Sequence, residues 1–457
     1  MMLRQTRPPA AFAEKHGHSS GPGRILSGVF ETLDRASIPY CVTHGYEHYP
    51  VHIGSDVDGV IAADVRPCQL IELLHKNRAT IGAEVVQVQG YRLVLAGEGA
   101  DGSPCFLPLD LSADYEVDDR LFYAGSEVLE ARRRYCEFWI PSAELEFGCY
   151  LVRKIAKGQL DDENERRLSS LYGQETAGCR QQVVRFWGAG SAALILSAAS
   201  SGDWEPVKRR LDKLRAELRR RATLRNPFRV LGNRLRRLVH RARALWRSES
   251  GLNLVFLGPD GAGKSSVIQA VAQALACAFN RTIFCGFAPA LFGGLRYIRQ
   301  DPGRPHAAPP RSFLISVARA GYWLVYYIFG YFFTIHVALA RSTLVLHDRH
   351  FVDALVDPRR YRYGGPLSLL RLIWRAVPKP DVVILLDAAP EAVQSRKREV
   401  PFEETDRQRT AYLSLVKTMR NGCVIDATRP LGQVVGDVND LILRHMRTRI
   451  EHRLGLQ

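Results

Sequence analysis

An α/β fold is predicted for the C-terminal half of this 457-residue chain: a parallel sheet with helices on both faces, preceded by a basic helical connector and, before that, an α+β domain. Three observations predict it. An apolar run at 253–257, a glycine-rich turn at 258–263 and a helix-forming run at 266–276 follow in strict order. Two further β-rich runs, STLVLHD and PKPDVVILLD, end in carboxylates at Asp348 and Asp387. Between residues 207 and 247 stand 16 Lys/Arg against two acids, Asp212 and Glu217, a local charge of +14 in a chain whose total is +16.

Length and composition set the frame. A chain of this size holds at least two domains, and 46% hydrophobic residues are enough for real cores. The nine cysteines never fall as Cys-x-x-Cys or beside paired histidines, which excludes a zinc-finger pattern and a disulfide scaffold and points to a reducing cytoplasm. Residues 1–22 carry charge and proline but no apolar core of a secretory signal, and are expected to be a disordered lead-in. The expected division is 1–22, a domain at 23–205, the connector at 206–249 and a second domain at 250–457.

The turn in the second domain carries the sharpest chemistry. Gly258, Asp260, Gly261, Ala262, Gly263, Lys264, Ser265 and Ser266 keep the spacing Gly-x-x-x-x-Gly-Lys-Ser between a strand and a helix. That is the phosphate-binding P-loop, whose backbone N–H groups converge on phosphate oxygens while the lysine reaches the β/γ-phosphates and the hydroxyl meets Mg²⁺. ATP and Mg²⁺ are the cofactors this predicts, on a P-loop NTPase sheet. Lys264 is expected to be an exposed loop residue with little effect on stability. Strand ends of a parallel sheet line up, so Asp348-Arg349 are expected beside this loop, with Asp387 divided between a site residue and a plain strand-end cap.

The order GPDGAGKS, HDRH, PKPDVVILLD and a helix carrying Arg396, Lys397 and Arg398 resembles the thymidylate kinase group of P-loop nucleoside monophosphate kinases over about 200 residues. The resemblance implies that Lys264 and Ser265 hold phosphate and metal, Asp260 faces the acceptor, Asp348 lies near the metal, Arg349 grips the acceptor's phosphate, and Arg396 and Arg398 serve as lid arginines. Two departures stand out: a long proline-rich stretch at 286–311 where the acceptor should sit, and VDPRRYRYGGP after the Asp-Arg pair, read as a basic, aromatic acceptor loop. In both, the chain looks more like divergent thymidylate-kinase-like proteins of bacterial cell-surface polysaccharide clusters.

The connector has leucines at helical spacing, 211, 214 and 218, then 231, 235, 238 and 245, broken at Asn226-Pro227. It reads as a pair of basic amphipathic helices, taken first as a solvated linker over a domain seam; the other reading is contact with an anionic membrane surface, which would make the cytoplasmic chain peripheral to the inner face of that membrane. The run at 321–340 has His336 as its only potentially charged residue. It is expected to be buried or laid against a partner or membrane surface, because a bilayer span there would separate the P-loop from Asp348.

In the first domain, a glycine turn at Gly45 precedes Asp56-Val57-Asp58, and Asp110 follows inside an apolar strand. Alternation puts Asp56 and Asp58 on one face, and three carboxylates at strand positions suit Mg²⁺. The layout resembles the nucleotidyltransferase superfamily over about 130 residues, with Tyr46 where that family has a small residue and Gly54-Ser55 directly before Asp56. The resemblance implies that Asp56 and Asp58 bind metal and triphosphate and that Asp110 completes the site.

The leading expectation is ATP- and Mg²⁺-dependent phosphoryl transfer to a phosphorylated nucleoside or sugar, fused to a nucleotidyltransferase-like domain. The rival is an ATP-binding scaffold of a membrane-associated polysaccharide assembly that never turns over. No specific nucleic-acid partner is indicated, and oligomeric state is left open.

Overall fold

The computed structural model describes residues 21–54, 56–99, 102–247, 250–287, 308–396 and 400–455. The chain forms two compact units, residues 1–239 with 447–457, and residues 240–446. All but the last two residues of the expected lead-in lie outside the described residues, as do Ser55, Arg398 and most of the proline-rich stretch at 286–311.

The first unit is built on strands β1 (Tyr40–His44), β2 (Val57–Ile61), β3 (Ala83–Gln89), β4 (Arg92–Glu98) and β5 (Pro104–Ser112), in the sheet order β1-β2-β5-β4-β3. Only β2 and β5 run parallel; the other pairs are antiparallel. Helix Pro22–Arg35 buries Leu26, Val29, Phe30 and Leu33 against the sheet. Ile450, from the end of the chain, closes the same core. A second core gathers Phe147, Leu151, Trp187 and Trp204 from the helices that follow.

That second core corrects the expected domain boundary at 206. Helix Leu211–Arg225 places Leu214, Leu218 and Ala222 inside it. The indole of Trp187 donates to the Leu214 carbonyl at 3.2 Å, Glu217 accepts from the Gly188 N–H at 2.7 Å, and Arg215 donates to the Ile155 carbonyl at 3.2 Å. The first half of the supposed linker is therefore a structural helix of the first unit, and Arg215 and Arg219 donate to the carbonyls of Ile155 and Ala156 rather than merely facing water. Helix Pro227–Arg247 differs: Phe228, Leu231, Leu235 and Leu238 are exposed.

The second unit is an all-parallel sheet of β6 (Leu252–Leu257), β7 (Arg281–Cys285), β8 (Thr343–Asp348), β9 (Val382–Asp387) and β10 (Gly422–Asp426), ordered β7-β8-β6-β9-β10. Central β6 is buried along its whole length, as a strand covered on both faces must be. Helix Phe402–Lys417 lays Tyr412 and Val416 on Val255, Leu257, Val383 and Leu385, while Ile335, Ala338 and Leu339 pack on Val345. Leu254, Phe256, Leu346 and Ile384, alternating with these, are just as buried. The register pairs Phe256 with Asp348, which sets the carboxylate at the mouth of the glycine turn.

The apolar run at 321–340 falls in helix Phe313–Gly330, continued by a π-helical turn at Tyr331–Ile335 and by His336–Leu339. Phe313–Leu339 is long and apolar enough to cross a bilayer. Yet Ala320, Trp323 and Tyr327 sit in a core with Phe351, Tyr361 and Leu370, so one side of the helix is committed to the sheet domain.

The reassigned helix is testable. Leu218 is fully buried, so Leu218→Ala is expected to cost about 2–5 kcal/mol in unfolding free energy, measured by chemical denaturation of the full chain. A solvated linker would respond by no more than about 0.5 kcal/mol.

Candidate functional site

The glycine turn begins with a backbone that only glycine tolerates. Gly258, Gly261 and Gly263 have φ of 143°, 95° and 85°. A Cβ on Gly258 would also meet the Leu386 carbonyl at 2.8 Å. The chain then enters helix Lys264–Ala274, whose N-terminal N–H groups and dipole face the loop. Ala262 is buried beneath the turn, and Ser265 and Ser266 are exposed on the first helical turn.

Lys264 departs from expectation: it is buried, and its ammonium donates to the carbonyls of Gly258 at 2.8 Å and Pro259 at 2.9 Å. Burial, and after it the charge of Arg349, pull its pKa below the ordinary lysine value, while Asp260 and Asp348 oppose the shift. The residue that would neutralise phosphate thus also braces the loop.

Asp348 ends β8 and accepts a hydrogen bond from the Ser265 hydroxyl at 3.2 Å. Its Oδ1 is buried and, among the described residues, has no hydrogen-bond partner. A hydroxyl beside a carboxylate with an orphaned oxygen is an all-oxygen donor set of the kind Mg²⁺ takes. The residues present therefore fit the ion.

Asp260, inside the loop, is the electrostatic centre. Arg349 and Arg360 each donate to one of its oxygens, and Lys264 Nζ lies 3.6 Å away. Arg349 stands in the left-handed region at φ 85°, a conformation that costs a non-glycine residue about 1–3 kcal/mol. It is held there by its side chain: Asp353, four residues on, lies 4.0 Å from Nη1. Asp353 is in turn fully buried, accepting from the Tyr412 hydroxyl at 2.6 Å and from the His350 N–H at 3.2 Å. Arg360 is set by Asp357, which accepts its backbone N–H at 3.1 Å, and Gln408 donates to the other oxygen of Asp357 at 3.1 Å. Asp260, Asp357, Arg360, Thr405 and Gln408 line a small hollow beside the loop.

The acceptor loop expected at 359–363 is divided by the structure. Arg360 turns to the P-loop and Arg359 to solvent, whereas Tyr361 and Tyr363 are buried. Tyr361 stacks near Phe287, with ring centroids 4.3 Å apart. Asp387, at the end of β9, accepts two hydrogen bonds from Arg409 at 2.6 and 2.9 Å. Arg396 lies exposed at the end of helix Pro390–Arg396 and reaches the Ala427 carbonyl at 3.4 Å; Arg398 lies outside the described residues. Arg360 was visible only as one arginine of a basic stretch, and Asp353, Gln408 and Tyr412 gave no signal beyond the i, i+4 spacing of Arg349 and Asp353.

In the first unit, Gly45 has φ 90°, and a Cβ there would meet the Asp56 carbonyl at 2.2 Å, so the turn and the Asp56 backbone are packed together. Tyr46 is buried against Tyr135 and Phe138. Asp58 and Asp110 are partners across the parallel pair β2–β5. Asp110 has its carboxyl pushed up to about 6, first by the protein packed around it and next by the charge of Asp58. Arg153 pairs with Asp58 at 2.5 Å. Among the described residues no three His, Cys, Asp or Glu side chains form a metal-holding group. The positive charge that these carboxylates meet is supplied by the chain itself.

Comparison with known proteins agrees with the second unit's geometry. Residues 256–438 match the family model for thymidylate kinase. The chain is also similar to the thymidylate kinase of Ruegeria pomeroyi, 29% identical over 221 residues, an alignment that takes in 44% of this chain and all of that protein. The matched span opens at the P-loop strand and runs past Asp348, Arg349, Arg360 and Arg409. Over residues 256–438 this chain is therefore similar to thymidylate kinases.

Proposed function

We propose that residues 250–457 catalyse phosphoryl transfer from ATP to a phosphorylated nucleoside or sugar. The observation that carries this reading is the convergence of Arg349 and Arg360 on Asp260, within the same loop as Lys264 and Ser265. Two guanidinium groups beside a P-loop form a second anion-binding position, which an enzyme transferring a phosphoryl group between two phosphorylated molecules needs and a nucleotide-binding scaffold does not. Lys264 and the helix N-terminus would neutralise the donor's terminal phosphates. Ser265 and Asp348 would hold Mg²⁺, which when bound shields the phosphate charge as the transferred group moves. Arg349 and Arg360 would exchange Asp260 for the acceptor's phosphate, leaving the Asp260 carboxylate free to orient the acceptor. No covalent nucleophile is required, because phosphoryl transfer rests on positioning and charge neutralisation.

For the first unit we infer a cation-dependent nucleotide-binding role for Asp56, Asp58 and Asp110, in which Mg²⁺ arriving with the nucleotide would take the place of Arg153 at Asp58 and relieve the repulsion between Asp58 and Asp110. We place the chain in the cytoplasm, where both nucleotide and reduced thiols belong.

ADP release measured with and without a panel of nucleoside monophosphates and sugars tests the main reading: release should depend on one acceptor, and ATP binding without turnover would favour the scaffold. Lys264→Ala should lower kcat at least about a hundredfold. Because Lys264 also braces the loop, Lys264→Met serves as the control for fold, compared by thermal unfolding. Arg360→Ala should raise the acceptor's KM by about tenfold or more while the KM for ATP changes little; an effect confined to ATP would contradict the assignment. Combining Asp56→Asn and Asp58→Asn with Lys264→Ala should abolish Mg²⁺-dependent nucleotide binding that survives in the Lys264→Ala chain, as read by calorimetry.

A further inference from the structure

Helix Pro227–Arg247 packs on the first unit along one side between Arg229 and Arg237, and at its far end the Leu245 carbonyl meets His336. Val230 and Asn233 are buried; Arg229 pairs with Asp114 and with Glu116 at 2.9 Å, Asn233 donates to Glu116 at 3.0 Å, and Arg237 pairs with Asp119. Positions 229, 230, 233 and 237 occupy one arc of the helix. On the opposite arc stand Phe228, Leu231, Leu235, Leu238, Ala242 and Leu245, at the 3–4-residue spacing of a continuous stripe. These are not core residues: Phe228 is 87% exposed, Leu231 65%, and Leu235 and Leu238 60% each. Exposed arginines flank the stripe, Arg234 on one edge and Arg236 and Arg243 on the other.

We propose that this stripe seats the protein on an anionic lipid bilayer, the helix lying in the plane of the interface. The charge pattern selects that occupant. A second copy of the helix would bring the flanking arginines of two chains together, and like charges at an apolar seam are destabilising. A bilayer carrying acidic headgroups instead accepts the leucines among its acyl chains and the arginines among its phosphates, the arrangement of an interfacial amphipathic helix. The arginines that anchor the helix, Arg229 and Arg237, already have carboxylate partners, so the flanking three carry the lipid contact. The exposed apolar face of helix Phe313–Gly330 has no comparable basic flank, only Arg319, and has no part in this proposal. The inference is independent of phosphoryl transfer.

The test is flotation of the full chain with vesicles of phosphatidylcholine and phosphatidylglycerol, against vesicles of phosphatidylcholine alone. Binding is expected only to the anionic vesicles, and it should weaken with salt, since attraction between exposed charges is screened over about 8 Å at physiological ionic strength. Leu231→Glu with Leu235→Glu and Leu238→Glu should abolish it while leaving the thermal unfolding transition unchanged, because these side chains touch no core. Arg234→Gln with Arg236→Gln and Arg243→Gln, which keeps the stripe, should weaken it about a hundredfold, or about 1 kcal/mol per charge. No binding to anionic vesicles at low salt overturns the proposal, as does binding that survives the leucine substitutions. A dimer that the leucine substitutions convert to monomer, with no vesicle binding by the unaltered chain, would assign the stripe to a second copy and overturn it equally.

Discussion

The Asp260 carboxylate holds the C-terminal site together. A single acid in the glycine turn gathers Arg349, Arg360 and Lys264 around it. Three cations so close would repel one another strongly without it, and a half-buried carboxylate would be costly without them. Each cation comes from a different part of the unit: Lys264 from the loop's own helix, Arg349 from the end of β8, Arg360 from the turn beyond. The interaction therefore ties the P-loop to the strand end and to the acceptor-side loop, and the same guanidinium groups are available to a phosphate that displaces the carboxylate.

Behind this contact stands a buried support. Asp353, sealed from water and bonded by Tyr412, steers Arg349; Asp357, bonded by Gln408, steers Arg360. Both supporting residues come from helix Phe402–Lys417, which also covers Val255 and Leu257 of the central strand. Packing of the sheet and aim of the arginines are thus one structural problem, because the helix that fills the apolar face also supplies the polar partners. This explains how Arg349 persists at φ 85°, a backbone state that its surroundings must over-determine.

The first unit solves a related problem differently. Asp58 and Asp110 are forced side by side by the pairing of β2 and β5, and the resulting repulsion is met by Arg153 from helix Ala143–Lys157. The expected three-carboxylate site was readable as spacing, but the arginine opposite it was not, since nothing in the spacing of residues 56, 58, 110 and 153 says which side chains face one another. The connector shows the same gap. Its two helices have similar composition and leucine spacing, yet Leu214 and Leu218 are core residues while Leu231 and Leu235 face outward. Periodicity reveals that a helix has an apolar side; it does not reveal whether a partner surface is there to cover it.

What the sequence determined by itself was everything that depends on local backbone chemistry. Gly258, Gly261 and Gly263 dictate the turn because no other residue adopts their φ values at so little cost. The apolar runs at β6, β8 and β9 dictate buried parallel strands, and strand-end carboxylates dictate a site at one edge of the sheet. Tertiary structure alone decided which charges are satisfied and by whom: that Lys264 is buried, that Asp387 is paired with Arg409, and that Arg360 turns to Asp260. These outcomes rest on contacts between residues from 5 to 100 positions apart, where burial and the cost of an unpaired charge select one partner among many. No pattern along the chain encodes that selection, because it is an energy of the packed whole.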